Sequence, residues 1–203
     1  AIYLIVAKLL ANRLRRILAR IVDSVQTAFI LGRNILEGYI MASEILSFWK
    51  RSRRKAFMWK VDFSKAYDSV QWSFLWASLM KRGFPPVWID WMKRCVTTTS
   101  FLVLINGNPA GGWIQLRRGV RQGCPLAPML FVFAADALAR AAKRSCERNL
   151  MKGFSLSGWM SIPVLQYADD TIFFIEGGEV EAKRMRILLF LFGEASGLQI
   201  NLF

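Results

Sequence analysis

The 203-residue sequence contains no histidine. That one absence removes Ser-His and Cys-His nucleophile pairs, histidine general bases and histidine metal ligands. Any catalysis must rest on carboxylates, Lys, Tyr, Ser or Cys. Cysteine is scarce as well: Cys95, Cys124 and Cys146 are odd in number and form no C-x-x-C pair. The chain therefore reads as reduced and intracellular, without a zinc site. No signal peptide is expected at the start, because Lys8 and a basic run follow too early. The longest uncharged run, Cys95 to Leu116, is broken by Asn106-Gly107-Asn108-Pro109 and Gly111-Gly112. It reads as strand-turn-strand and not as a membrane helix. There is no internal repeat and no low-complexity linker.

Acidic residues are the other shortage, 14 against 28 Lys/Arg, for a formal charge of +14. The imbalance is uneven. Residues 1–60 carry twelve basic and three acidic residues, 61–125 carry eight and three, and 126–203 carry eight and eight. A basic half beside a neutral half suggests a polyanion along one side, with a merely soluble basic surface as the alternative. With 54% hydrophobic residues the chain can build a core.

Periodicity gives a coarse order of elements. Residues 2–22 look helical with a basic face at Lys8, Arg13, Arg15, Arg16 and Arg20, and 34–50 make a second helix. The run Lys50-Arg51-Ser52-Arg53-Arg54-Lys55 is a solvated loop or a nucleic-acid backbone contact. Ala56 to Phe63 alternates like a strand. A helix is expected from about Ser69 to Gly83, with Asp68 as its cap, and Pro86 opens another. Ser100–Ile105 and Trp113–Leu116 should form a hairpin around NGNPAGG. A long helix follows from near Pro125 to about Asn149, then a strand pair around Asp169-Asp170, a helix from Glu179 to Ser196 closed by Gly197, and a last strand, LQINL. The fold class is α+β, resembling a ferredoxin-like core with insertions and helices on one face of the sheet.

The stretch LQYADDTIFF sets the functional question. Apolar, β-branched and aromatic residues flank two adjacent carboxylates, Asp169 and Asp170, and burying such a pair uncompensated is costly. Asp62 ends the strand AFMWKVD, 107 residues before Asp169. Adjacent central strands would bring Asp62 and Asp169 within a few ångströms. Two Mg²⁺ ions would neutralise the cluster, and two ions flanking one phosphorus stabilise both the attacking and the leaving oxygen. The alternative is a solvated turn.

KVDFSKAYDSV, GVRQGCPLAPMLF, LQYADDTIFF and FGEASGLQINL resemble, in order and spacing, the motifs of reverse transcriptase domains. With KLLANRLRRILARIV and QTAFILGRNILEG upstream, the likeness is to non-LTR (LINE-type) retrotransposons, notably those of plants, and covers nearly the whole chain. The resemblance implies the fingers and palm of a right-hand polymerase, with the thumb expected to be missing: 1–55 partial fingers, 56–84 and 121–203 palm, 85–120 a return to the fingers. It implies metal binding by Asp62, Asp169 and the Phe63 backbone carbonyl, with Asp170 as third catalytic carboxylate. Tyr67 would lie under the incoming sugar and exclude a ribose 2′-OH, although a core tyrosine would look the same. Ala66, Lys65, Gln122, Gly123, Pro128 and Arg33 would contact the nucleotide, and Arg117, Arg118 and Arg121 would track template or primer phosphates. Cys124 and Ala127 depart from the usual Asp and Ser.

The implied function is RNA-directed DNA polymerisation with two Mg²⁺ (Mn²⁺ possible) on an RNA template, a DNA primer and dNTPs. The setting would be a ribonucleoprotein with the element RNA, in cytoplasm and nucleus, without a membrane. Two alternatives stay open: a group II intron or telomerase type of enzyme, and a truncated remnant that only binds nucleic acid.

Overall fold

The first helix, α1 (Ile2–Ile21), buries Ala7, Leu10, Ala11, Leu14 and Leu18 on one stripe and leaves Lys8, Arg13, Arg15, Arg16 and Arg20 exposed. The stripe is what the helical period demands. The computed structural model of the protein describes residues 2–98, 100–155 and 161–201. After α1 come α2 (Ile35–Ser52), β1 (Ala56–Ser64), α3 (Ala66–Ser69), α4 (Trp72–Lys81) and α5 (Pro86–Thr97). They are followed by β2 (Ser100–Ile105), β3 (Asn108–Gln115), α6 (Ala127–Glu147), β4 (Phe154–Ser155) and β5 (Ser161–Ile162). The chain closes with β6 (Val164–Tyr167), β7 (Asp170–Glu176), α7 (Glu179–Ser196) and β8 (Gln199–Asn201). Leu202, the end of the expected last strand, lies outside the described residues. None of the described helices is long and apolar enough to cross a membrane.

Four strands form one antiparallel sheet in the order β6-β7-β1-β8. With helices between β1 and β6 and between β7 and β8, this is the ferredoxin-like topology. Register decides the faces. Val61 lies opposite Thr171 and Trp59 opposite Phe173. Phe63, two residues beyond Val61, meets Phe192 of α7 at 6.4 Å. That face is the helical side, and α6, fully buried along most of its length, packs there with α4 and α7. Lys60 and Asp62 alternate onto the opposite face and are exposed. At the far end of that opposite face α2 provides cover, with Trp49 against Phe174 at 5.9 Å. The Asp62 end stays open.

Several local expectations change. The helix after β1 starts at Trp72, not Ser69, because Val70 is extended and Gln71 N–H is drawn to the Ser196 carbonyl at 2.7 Å. Asp68 therefore sits inside α3 and caps nothing; Gln71 is the N-cap, without a side-chain bond. The hairpin is tighter than NGNPAGG suggested. Asn106 and Gly107, both at positive φ (50° and 83°), make a two-residue turn, and β3 already begins at Asn108. Pro109 is tolerated because the ribbon has only two strands. The basic run is part helix and part tether. Lys50 and Arg51 lie in the last turn of α2, while Arg54 pairs with Glu176 at 2.9 Å.

Two polar devices join the N-terminal segment to the sheet. Residues 25–27 lie alongside β6: Gln166 N–H donates to the Val25 carbonyl (2.9 Å) and Thr27 N–H to the Gln166 carbonyl (3.0 Å). From this edge the fully buried Gln26 side chain reaches the turn after β6. Its Oε1 accepts from the N–H groups of Ala168 and Ala28, each at 3.0 Å, and its Nε2 donates to the Ala168 carbonyl at 3.3 Å. The second device centres on Asp136, 0% exposed, which accepts from Arg82 (2.6 Å), Arg140 (2.7 Å) and the Asp23 N–H (2.7 Å). Asp23 in turn binds Lys143 at 2.6 Å. Burial alone would raise the Asp23 carboxyl, but Lys143 and the Val25 N–H hold it below the usual carboxylate range.

Two stability losses are expected. Gln26→Leu leaves buried backbone groups at Ala168 and Ala28 unpaired, at about 1–3 kcal/mol each. Urea unfolding should show the loss, and amide exchange should accelerate first around residues 166–171. Asp136→Ala strands Arg82, whose side chain is 9% exposed. Breaking a buried pair in this way costs about 3–5 kcal/mol, so a melting point near that of the parent would refute the role given to Asp136.

Candidate active site

The turn between β6 and β7 is as short as a hairpin allows. Tyr167 pairs with Asp170, and only Ala168 and Asp169 lie between them. Ala168 adopts φ 55°, a left-handed conformation that costs a residue with a Cβ about 1–2 kcal/mol. Glycine or asparagine is the usual choice at such a position. The Gln26 amide, bonded to both backbone polar groups of Ala168, holds the conformation. Asp169 is thereby fixed at the tip, half-buried, and Asp170 starts β7, exposed.

Asp62 lies one residue beyond the Val61–Thr171 pair on β1 and pairs across its other edge with Asn201 of β8. Extending the β1–β7 register places it opposite Asp170 on the open face, where antiparallel partners stand about 5 Å apart. Its carboxylate accepts from Asn201 Nδ2 at 3.0 Å. Asp170 pairs with Lys60 at 3.3 Å, both side chains more than 60% exposed, so that pair contributes little stability. The three acidic residues thus gather at one end of the sheet. Among the described residues no three acidic, Cys or His side chains stand close enough to enclose a metal ion in this conformation. The donors are nevertheless all hard oxygens. Mg²⁺ takes most of its ligands from water and phosphate, so one or two carboxylates are enough. The residues fit that ion.

Around these carboxylates the expected nucleotide residues fall into separate places. Lys65 is exposed at φ 47° in the turn from β1 to α3, and Ala66 is buried beneath it. Tyr67 is half-buried with one face stacked on Phe131 at 4.6 Å. Burial raises its phenol pKa, and the nearby Asp169 carboxylate raises it further. Tyr67 therefore feels the charge of Asp169 while packed on the core. The segment 117–123 docks on α3: Gly119 N–H donates to the Val70 carbonyl and Val120 N–H to the Tyr67 carbonyl, both at 2.7 Å. A Cβ on Gly119 would sit 2.6 Å from the Asp68 carbonyl oxygen, so only glycine permits this approach.

That docking leaves Arg117, Arg118 and Arg121 exposed. Arg118 lines a hollow at the β8 edge with Ser64, Asn201 and residues of α7. Gln122 and Gly123 line a different hollow with Arg121, against Tyr3 and Leu4 of α1. Pro128 lines a third with Tyr167 and Arg33. Arg33 points its four terminal N–H groups at the carbonyls of Ala19, Val22, Asp23 and Gln26, over 2.5–3.1 Å. In this conformation it caps the end of α1 and shapes the loop to Gln26, with only Nε–H left for a phosphate. Burial lowers its pKa.

Three residues with parts in the site carried no assigned role in the sequence: Gln26, Lys60 and Asn201. The segments QTAFILGRN and SGLQIN contain two of them, but nothing local reveals that Gln26 bonds a turn 142 residues away.

Comparisons with known proteins bear on the family and the fold. Residues 2–202 match the family model "Reverse transcriptase (RNA-dependent DNA polymerase)". A Xenopus laevis protein, "Transposon TX1 uncharacterized 149 kDa protein", is 27% identical over 98% of this chain and 15% of its own length. The "Retrovirus-related Pol polyprotein from type-1 retrotransposable element R2" of Nasonia vitripennis is 30% identical over 89% of the chain and 17% of its own length. The chain thus spans less than a fifth of either relative. Among solved structures, Candida albicans telomerase superposes with a TM-score of 0.64 at 13% identity, over 97% of this chain and 33% of that one. That neighbour shares the right-hand polymerase fold. With residues 2–202 matched by the family model and relatives named for a transposon and a retrotransposable element, the chain belongs to the reverse transcriptase family.

Proposed function

We propose that this chain is the nucleotidyl-transfer core of a non-LTR retrotransposon reverse transcriptase, extending a DNA 3′-OH with dNTPs on an RNA template. The observation that carries the reading is the register that brings Asp62, Asp169 and Asp170 to the same open end of the sheet, within a chain of this family. When bound, two Mg²⁺ ions would supply charge neutralisation and activation of the 3′-OH. Asp62 and Asp169 would hold them, with the Phe63 carbonyl. Phosphoryl transfer asks a protein mainly for positioning and electrostatics, so the remaining residues act by placement.

Asn201 orients the Asp62 carboxylate through its 3.0 Å bond, and Lys60 lies within ion-pair distance of Asp170. Tyr67, with one face stacked on Phe131 and its ring half-buried, would leave its other face for a sugar ring, and one without a 2′-OH would fit better than one with it. Arg118, exposed at the β8 edge, suits a phosphate of the primer or template.

Primer extension on poly(rA)·oligo(dT) tests the proposal, with the chain alone and within a longer protein of its element. Asp62→Asn and Asp169→Asn should each lower the rate by at least about 10²–10³, the scale of losing one principal electrostatic stabiliser. Affinity for primer-template and its salt dependence should remain, since the basic surface supplies them. Extension that survives either substitution refutes the assignment.

Tyr67 separates selection from packing. Tyr67→Ala should raise the rATP/dATP incorporation ratio, because removing a repulsive element relaxes specificity. A ring that is only half-buried should cost little more than its stacking, about 0.5–1.5 kcal/mol. An unchanged ratio with a loss of about 3–5 kcal/mol, as for a core aromatic, would reassign Tyr67 to the core.

A further inference from the structure

On the helical side of the sheet, away from the carboxylates, α4, α6 and α7 enclose a cleft of about 440 Å³. Five cations line it: Lys81 and Arg82 from the end of α4, and Arg140, Arg144 and Arg148 from α6 and its C-cap. No acidic residue lines it. Arg82 and Arg140 share Asp136 beneath the wall, so one of those two charges stays uncompensated. Among the described residues Lys81, Arg144 and Arg148 have no ion-pair partner, and all three are exposed. The Arg82 side chain is 9% exposed, yet its buried Nε–H has no acceptor. That Nε–H is out of reach of solvent, so the charge the cleft offers to an anion comes from Lys81, Arg144 and Arg148. Phe74 and Leu188 supply an apolar floor.

We propose that this cleft is a second nucleic-acid site, taking the phosphodiester backbone of a single strand on the face opposite the carboxylates. The spacing selects a linear polyanion over a lone phosphate. Arg140, Arg144 and Arg148 recur every fourth residue, a row of guanidiniums rising by about 6 Å per step along the helix. Guanidinium forks suit phosphate oxygens. The apolar floor offers a surface for a sugar or base. Part of this charge has another use, because cations near a helix C-terminus stabilise it. Lys81 and Arg144 lie in the last turns of their helices. Binding and stability must therefore be read separately. The inference does not depend on the polymerase proposal: a chain that cannot extend a primer would still carry the cleft.

The test uses fluorescence anisotropy of a labelled 20-nucleotide oligouridylate from about 50 to 200 mM NaCl. The variants are Lys81→Gln/Arg144→Gln/Arg148→Gln and the single Lys81→Gln, with Glu44→Gln, exposed on α2, as a control away from the cleft. Losing three phosphate contacts should flatten the slope of log K against log[salt] by about 2, and losing one by about 0.7. Melting points should stay close to that of the parent, and Glu44→Gln should leave the slope unchanged. A triple variant with unchanged affinity and slope overturns the proposal, as does a lowered melting point with unchanged binding, which would make these cations helix caps. If the triple variant fails to fold, the single variant decides on the same slope. Vesicles of phosphatidylserine and phosphatidylcholine form the second arm. Loss of vesicle binding with oligouridylate binding intact would assign the cleft to a membrane surface and refute the nucleic-acid reading.

Discussion

An alanine held in a left-handed conformation determines where the acidic end of the sheet lies. Ala168 adopts a φ that its Cβ opposes, and the chain keeps it there with one buried amide, that of Gln26. Because the loop has only two residues, this conformation fixes the β6–β7 register and puts Asp169 at the tip with Asp170 beside it. A primary amide suits the task, since it donates and accepts at once. A carboxylate in its place would lack the donor and add a buried charge next to two others. Strain at a functional turn is commonly sustained in this way, by surroundings that over-determine it.

The support for Gln26 is itself layered. Its backbone runs along β6, and Arg33 gathers the carbonyls on either side of the loop that carries it. Behind them, Asp136 ties the Asp23 backbone to Arg82 and Arg140. The basic α1 and the helices over the sheet are therefore joined by hydrogen-bonded charges as well as by apolar packing. A displacement of α1 would be felt at Asp169 through this chain of contacts. The arrangement is more directional than a hydrophobic interface and depends on every member being paired.

Much of this was legible in the sequence, and what was not has physical reasons. The stripe of α1, the alternation of β1 and the helix closed by Gly197 follow local periods that tertiary packing reinforces. LQYADDTIFF places the acidic turn because its charges interrupt an apolar run, and the exposure of Asp170 shows that the turn is solvated and not buried as its flanks suggested. The start of α4 was misread because Gln71 is held extended by Ser196, a contact across 125 positions. The length of the hairpin was misread because Pro109 and the paired glycines resemble a loop, although a two-stranded ribbon accommodates them. Arg33 was read by its charge, and the structure gives it four carbonyls instead. The short β4–β5 pair left no signal, since two residues per strand carry no period. Whether Gln122, Pro128 and Tyr67 meet one nucleotide was beyond a linear reading, and here they line different hollows or the core.

The alternation of β1 has a consequence for how such a gene decays. Val61 and Phe63 face the helices while Lys60 and Asp62 face the open side, so core and acidic end are encoded by interleaved codons. A substitution at any one position damages one face and spares the other. Insertion or loss of a single codon between Ala56 and Asp62 exchanges the faces, sending a carboxylate inward and an aromatic outward together. Copies of the element that keep their reading frame but change length here lose fold and site in one event, whereas copies that drift by substitution lose them separately. A survey of related copies would therefore find this strand varied in letters and constant in length.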